Sequence, residues 1–274
     1  PRRSHFADKE LPHLIREKLK ESVEIHTRSD VPVAAWLSGG IDSSVIATYM
    51  QKHCTHPIDV FSLSYQDTSV DEFERQRTLG DYPEFNFRVN KIICRDSDFN
   101  LFPRALWHCE DPFTGAAEIS RLILARATAN HYKVVLTGEG ADEVFAGYRW
   151  YAGEKRLKLL SVLPEFLRHA IADTPYFKKR YPGASQILKG PKEMDLDRFS
   201  RLIGPTGNRD VLTKLFSDDL LLKCHDSERN HLFSNYNSSL VTLQHLDLNI
   251  RLSDCVVQHL DRMTMACSLE ARVP

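Results

Sequence analysis

The stretch Val33-Ala34-Ala35-Trp36-Leu37-Ser38-Gly39-Gly40-Ile41-Asp42-Ser43-Ser44 decides the fold, because an apolar strand ends there in a glycine pair flanked by hydroxyls. Without Cβ atoms, Gly39 and Gly40 can adopt positive φ and admit a ligand close to the backbone. The first amides of the following helix then point at that ligand from the positive end of the helix dipole. An anionic group is expected in the turn. A Walker-type loop would need a lysine before its last Ser or Thr, and Ile41-Asp42 stand in that stretch instead. A carboxylate cannot hold phosphate directly, so Asp42 is expected to reach it through Mg²⁺, which prefers oxygen ligands and phosphate partners. An ordinary strand-to-helix reversal capped by Asp42 or Ser43 would use the same residues. The coincidence of glycine pair, hydroxyls and acid after a buried-type strand favours the Mg-pyrophosphate reading.

Outward from this turn the chain alternates between helical and strand patterns. Leu11, Leu14, Ile15, Leu19 and Val23 fall at helical spacing and predict an amphipathic helix before the first strand, Val31 to Leu37. A helix through Ser44, Tyr49 and Gln51 leads to the β-type run Ile58 to Tyr65, which completes one βαβ unit. Further strand-like runs at Phe85 to Ile93 and Lys133 to Thr137 bracket a helical stretch at Ala117 to His131. This alternation predicts an α/β fold with a doubly wound, mostly parallel sheet. Ligands of such sheets lie beyond the carboxyl ends of the strands, which places Ser38 and Gly138 at one crevice. Beyond about Gly153 the strand signals fade and Leu157, Leu159, Leu160, Leu163 and Phe166-Leu167 keep helical spacing. The expected division is therefore an α/β core over residues 1–153 and a mostly helical region over 154–274. Pro175, Pro182, Gly183, Gly190 and Pro191 punctuate Tyr176 to Pro191, which reads as an exposed connection.

Composition narrows the function classes. With 274 residues and 42% hydrophobic content, one large or two smaller domains can bury a sizeable core. The 36 basic residues balance 37 acidic ones, so no overall field collects polyanions and nucleic acid is not an expected partner. No run approaches the roughly 20 apolar residues of a membrane span, and no signal peptide opens the sequence. A membrane partner is not expected and the location expected is cytoplasmic. The six cysteines form no CxxC pair and no zinc-type spacing, and read as reduced thiols. Since the sequence starts at Pro1 and stops at Val273-Pro274, it is expected to be part of a longer protein.

The segment Leu136-Thr137-Gly138-Glu139-Gly140-Ala141-Asp142-Glu143-Val144-Phe145-Ala146-Gly147-Tyr148 repeats the logic of the first turn, a strand ending in a glycine-punctuated acidic loop. Glu143 suits a helix N-terminus on dipole grounds alone. Glu139 and Asp142 read differently. Gly138 and Gly140 again allow close backbone approach to a ligand, Asp142 could complete the Mg²⁺ coordination begun by Asp42, and Glu139 could accept a proton from an attacking amine.

The run Ser38-Gly39-Gly40-Ile41-Asp42-Ser43 resembles the PP-loop of ATP pyrophosphatases, which cleave ATP between its α- and β-phosphates. Together with it, Thr137 to Tyr148 resembles the second signature of the asparagine synthetase family, and Leu260 to Pro274 resembles the third. The resemblance spans nearly the whole chain and implies the synthetase domain of a glutamine-hydrolysing amidotransferase with an adenine nucleotide alpha hydrolase-like fold. It implies an ATP-dependent, AMP-forming ligase that adenylates a carboxylate, aspartate by preference, and transfers ammonia to it. ATP and pyrophosphate would then be bound by Leu37, Ser38, Gly39, Gly40, Asp42, Ser43, Ser44, Leu63, Thr137 and Gly138. Asp42 and Asp142 would hold Mg²⁺, and Glu139 would handle protons. Asp71-Glu72 match an acidic pair that either caps the family's next helix or touches substrate. Asp261, Arg262, Glu270 and Arg272 either form ion pairs between domains or reach the active site. Met263, Met265 and Leu269 read as helix packing.

Departures from the family pattern matter too. The glutaminase domain and a lysine downstream of Arg-Val-Pro have no counterpart in these residues, so ammonia would come from solution or be derived from glutamine elsewhere. The stretch Gln76 to Pro83 is about one helical turn shorter than the family's segment, in a region that shapes the acceptor pocket. Rival readings are a ring-closing relative of the β-lactam synthetase or lasso-peptide cyclase type, a non-catalytic nucleotide-binding homologue, and a transfer-RNA-modifying enzyme. A homodimer is among the assemblies the sequence allows.

Overall fold

Five short parallel strands organise the first of two compact units, which comprises Pro1–Gly140 with Asp254–Pro274. Ala141–Ser253 form the second. The computed structural model describes residues 9–65, 85–111, 117–160, 162–181, 185, 188–189 and 239–274. Asp71, Glu72 and the shortened stretch Gln76 to Pro83 lie outside these residues.

In the first unit, α1 (Leu11–His26) carries a proline in its first turn, where the missing N–H has no helical partner to lose. The chain then runs through β1 (Val33–Trp36), α2 (Ile41–His53), β2 (Ile58–Tyr65) and β3 (Phe87–Cys94). A 3₁₀ turn at Asp96–Leu101 leads into α3 (Phe102–Cys109), followed by α4 (Ala117–Ala129) and β4 (Val134–Leu136). The sheet order is β3-β2-β1-β4 with a fifth strand beyond β4, and every pairing is parallel. Ala35 faces Val60 on one side and Leu136 on the other. The chain thus steps outward from β1 to β2 to β3, then returns to the opposite side of β1. That reversal, between β1 and β4, is the topological switch point of the sheet.

Period-two alternation distributes the core to both faces. Ala35, Leu37, Val60 and Leu136 pack with Val23 of α1 and with Ile46, Ala47 and Met50 of α2. Ala34, Trp36, Phe61 and Val135 point the other way, onto Leu124 and Ala125 of α4. Strands buried on both faces read as continuous apolar runs, as Val33 to Leu37 does. The Trp36 indole N–H is satisfied inside this second layer by the Thr128 hydroxyl at 3.0 Å.

The third motif closes the unit. Helix α10 (Gln258–Met265; α5 to α9 belong to the second unit) buries Leu260 in the second layer and Met263 in a smaller cluster with Ala105, Cys109, Ile119 and Leu122. Met265 departs from the packing role expected of it: it is 54% exposed, on the outer side of the helix. Ser268 takes left-handed φ at 56° and Leu269 N–H bonds back to Thr264 O at 3.1 Å, which ends the helix. The backbone then extends as β5 (Glu270–Arg272) beside β4. Arg272 Nη1 donates to the carbonyls of His26 and Arg28, both at 2.8 Å and 246 and 244 positions away. The chain end is thereby fastened to the end of α1.

The second unit is helical where described: α5 (Ala141–Phe145), α6 (Arg149–Leu160), α7 (Glu165–Asp173), α8 (Pro175–Arg180) and α9 (Ser239–Leu246), followed by π-helical turns from Asp247. Part of the expected connection Tyr176 to Pro191 is therefore helix. Thr174 accepts the Phe177 N–H at 3.4 Å as N-cap and Pro175 opens the first turn, a signature present in the sequence. Among the described residues Leu243, Leu246 and Tyr151 form one buried cluster of this unit, and Ala172 with Leu188 a second. No helix among the described residues is long and apolar enough to cross a membrane.

Candidate active site

The turn after β1 is built as its residues require. Gly39 has φ 80°, in the region a side chain resists, whereas Gly40 is extended at φ −75° and serves as N-cap of α2. Only one of the two glycines is thus needed for positive φ. The hydroxyls brace the turn from within: Ser38 N–H donates to Ser43 Oγ at 3.1 Å, the Ser38 and Ser43 hydroxyls meet at 2.9 Å, and Ser44 Oγ–H donates to Gly40 O at 2.6 Å. The first i→i−4 bond of α2 runs from Ser44 N–H to Gly40 O, which leaves the amides of Ile41, Asp42 and Ser43 ahead of the helical ladder. Asp42 sits among them in the first turn. A cavity of about 430 Å³ opens at Gly39 and Gly40 and follows one face of α2 past Ser44 and Thr48 to Lys52.

The loop after β4 meets this turn at van der Waals distance. A Cβ added to Gly138 would lie 2.6 Å from Ser43 N and 2.9 Å from both Asp42 C and Ser43 Cα. Only hydrogen fits at that position, so the two motif loops touch backbone to backbone at the carboxyl ends of β1 and β4. Thr137 is buried; its N–H donates to Arg272 O at 2.9 Å and its Oγ1 accepts the Glu139 N–H at 3.4 Å. Gly140 takes φ 87°, the second position where the loop needs a glycine. Glu139 Oε1 accepts from Arg121 Nη2 at 3.1 Å.

A profile of the family described as asparagine synthase matches residues 14–274. The chain belongs to the asparagine synthase family. It is 30% identical over 272 residues to asparagine synthetase (glutamine-hydrolyzing) 1 of Bacillus subtilis strain 168, covering 95% of this chain and 41% of that protein. Over 139 residues it is 34% identical to asparagine synthetase (glutamine-hydrolyzing) 2 of the same strain, covering 48% of this chain and 18% of that protein. It is also similar to amidase chyE of Penicillium rubens, 33% identical over 162 residues, covering 53% of this chain and 24% of that protein. The chain thus spans about two fifths of the length of the first of these relatives.

Within this asparagine synthase domain the expected site residues separate by unit. Leu37, Ser38, Gly39, Gly40, Asp42, Ser43, Ser44, Leu63, Thr137, Gly138 and Glu139 all belong to the first unit, whereas Asp142 belongs to the second. Leu37 is 1% exposed, with its N–H on Phe61 O at 3.0 Å and its carbonyl accepting from Ser62 Oγ at 2.8 Å, so its side chain is core. Leu63 packs against the layer beneath α4. Arg262 donates to the Cys109 carbonyl, and Arg272 Nε pairs with Glu270 at 2.6 Å, so these arginines are engaged within the first unit.

In the second unit Asp142 lies over Gly147, where a Cβ would come within 2.0 Å of its Oδ1, and Ala146 takes left-handed φ at 55° to make that turn. Glu143, expected merely to favour a helix start, is fully buried and accepts the Tyr148 hydroxyl. Burial, and after it the Glu143 bond, push the Tyr148 phenol above its ordinary range. The Arg251 guanidinium lies 4.7 Å over both the Tyr148 and Trp150 rings.

Sequence reading missed Arg121, Glu118 and His259. Glu118 and Arg121 look like the polar positions of an amphipathic helix, and His259 precedes the motif Leu260 to Pro274. The one available signal was their i, i+3 spacing on α4, which makes a Glu–Arg pair.

Proposed function

We propose that this domain catalyses ATP-dependent, AMP-forming activation of a carboxylate, aspartate by preference, followed by transfer of ammonia to give the amide. The observation that carries the reading is the contact of Gly138 with the first turn of α2, which joins both glycine loops at the sheet's switch point, where ligands of such folds bind. An acceptor carboxylate oxygen attacks the α-phosphorus, forming a P–O bond as the bond to the β-phosphate oxygen breaks. The Ile41, Asp42 and Ser43 amides, which precede the helical ladder, would receive the departing pyrophosphate charge. Ammonia then attacks the acyl carbon, AMP leaves with its bonding electron pair, and Glu139 takes the surplus proton.

A half-buried carboxylate beside phosphate-directed amides suits Mg²⁺, which is held by one or two protein carboxylates plus substrate phosphates. Asp42 is the proposed ligand in the first unit, and the family resemblance adds Asp142. When bound, Mg²⁺ would neutralise phosphate charge.

ATP–pyrophosphate exchange by the whole protein tests the reading, with aspartate compared against other carboxylic acids. Aspartate-stimulated exchange that falls sharply in Asp42→Asn is expected. Exchange driven by a different acid without need of ammonia would replace the acceptor with that of a ring-closing relative. Undiminished exchange in Asp42→Asn would remove the metal assignment.

A further inference from the structure

Five side chains form a continuous ionic chain that ends on Glu139. Arg121 Nη2 donates to Glu139 Oε1 at 3.1 Å, while its Nη1 donates to Glu118 Oε1 at the same distance. His259 Nδ1 lies 3.1 Å from Glu118 Oε1, and its Nε2 lies 3.3 Å from Asp111 Oδ2. The geometry points to Arg121 as the positioning residue for Glu139, held in place by Glu118, which is itself held by His259 of the third motif. This inference rests on the proton-handling role proposed for Glu139.

Burial separates this chain from a solvated surface pair. The side chains of Glu118 and His259 are 8% and 11% exposed, that of Arg121 20% and that of Glu139 33%. Exposed pairs contribute little because water screens them and both side chains lose freedom, whereas partly buried charge-assisted bonds are stronger and fix geometry. Arg121 spends one Nη on each of two carboxylates that diverge from it, which suits a planar fork and not the point charge of a lysine. The scaffold beneath is rigid. Ile119 and Leu122 of α4 pack against Met263 of α10, so the helices carrying Glu118, Arg121 and His259 share one core. The Cys109 thiol also lies near Glu118, pushed up first by burial and then by that carboxylate, so it adds no negative charge.

The chemical consequence concerns the second half-reaction. A carboxylate that must meet ammonia attacking an acyl adenylate needs a fixed direction, since a misplacement of about 1 Å can cost on the order of 100-fold. The guanidinium supplies that direction. Nothing in the adenylating step calls on it, so its loss separates the two half-reactions.

The test uses the whole protein and the variants Arg121→Gln, Arg121→Lys and His259→Gln, with two readouts. In the first, amide formation at saturating ammonia is compared with aspartate-dependent ATP–pyrophosphate exchange. Arg121→Gln is expected to lower the kcat of amide formation by about 10- to 100-fold, far more than it lowers exchange. Arg121→Lys restores only part of the rate, because a point charge cannot replace the planar fork. His259→Gln shows the same pattern at smaller amplitude. Equal losses in both half-reactions, or none, overturn the assignment. The second readout needs no turnover: carboxyl-carbon NMR of protein labelled at glutamate, with Glu139 assigned from Glu139→Gln. A changed Glu139 carboxyl resonance at fixed pH in Arg121→Gln supports the contact at 3.1 Å, and an unchanged resonance refutes it. If the parent protein shows no carboxylate-dependent exchange, the proposed function fails while this second readout still judges the positioning of Glu139.

Discussion

Gly138→Ala isolates the meeting of the two motif loops. The added methyl would stand 2.6 Å from Ser43 N, about 0.8 Å inside the 3.4 Å at which ordinary contact begins, and the atoms it meets are backbone rather than a pliable side chain. Either the loop after β4 lifts away or the first turn of α2 is pushed off its axis by most of an ångström. Forcing a methyl into a filled site costs typically about 1–3 kcal/mol of stability. A displacement of that size at a reacting centre costs on the order of 10- to 100-fold in rate. We therefore expect Gly138→Ala to remain folded with a lowered Tm and to lose about 10- to 100-fold in ATP–pyrophosphate exchange, with ATP affinity by calorimetry falling alongside. Gly153→Ala is the matched control. Its Cβ would meet nothing within 4 Å on α6, so removal of a helical glycine should add about 0.5–1 kcal/mol and leave exchange untouched. Parent-like ATP affinity and exchange in Gly138→Ala would refute the idea that the loops form one site.

Two further tests probe the scaffold. Thr128→Val deprives the buried Trp36 indole of its acceptor at 3.0 Å, and the orphaned N–H should cost about 1–3 kcal/mol in urea unfolding with an unchanged m-value; a loss below about 0.5 kcal/mol would contradict it. Tyr132, whose hydroxyl donates to Asp59, is pushed up to about 12 by burial first and by Asp59 second. A folded value above the ordinary 10 means that its contribution is complete below pH 10 and drains away as pH rises to about 12. Tyr132→Phe should therefore flatten the loss of stability across that window, and an equal loss in both proteins would show the phenol to be irrelevant.

The sheet was legible because its signals are local. The run Ile58 to Tyr65 coincides with β2, and Val31 to Leu37 contains β1, since buried parallel strands are written as apolar runs between turn residues. The glycine loops were partly legible, as Gly39 and Gly140 do take positive φ whereas Gly40 is extended. Strand β5 was not, because Glu270-Ala271-Arg272 has no apolar alternation and its strand geometry comes from β4 and from the hold of Arg272 on the end of α1. The ionic chain behind Glu139 was hidden for a related reason. Glu118 and His259 are 141 positions apart, and polar residues on a helix look solvated until another helix covers them. Met265 shows the converse, an apolar residue at motif spacing that faces water.

The grip of Arg272 on His26 and Arg28 also sets an order of events during synthesis. While the ribosome is still producing the second unit, the outer edge of β4 has no neighbour, and an open strand edge invites pairing with another chain. The closing contact bridges 246 positions, a length that adds little to the equilibrium cost of closure but slows the search for it. The loop at Thr137, whose N–H waits for Arg272 O, therefore sets late, and a nascent chain stalled before residue 270 carries a finished glycine turn on an unfinished, adhesive sheet.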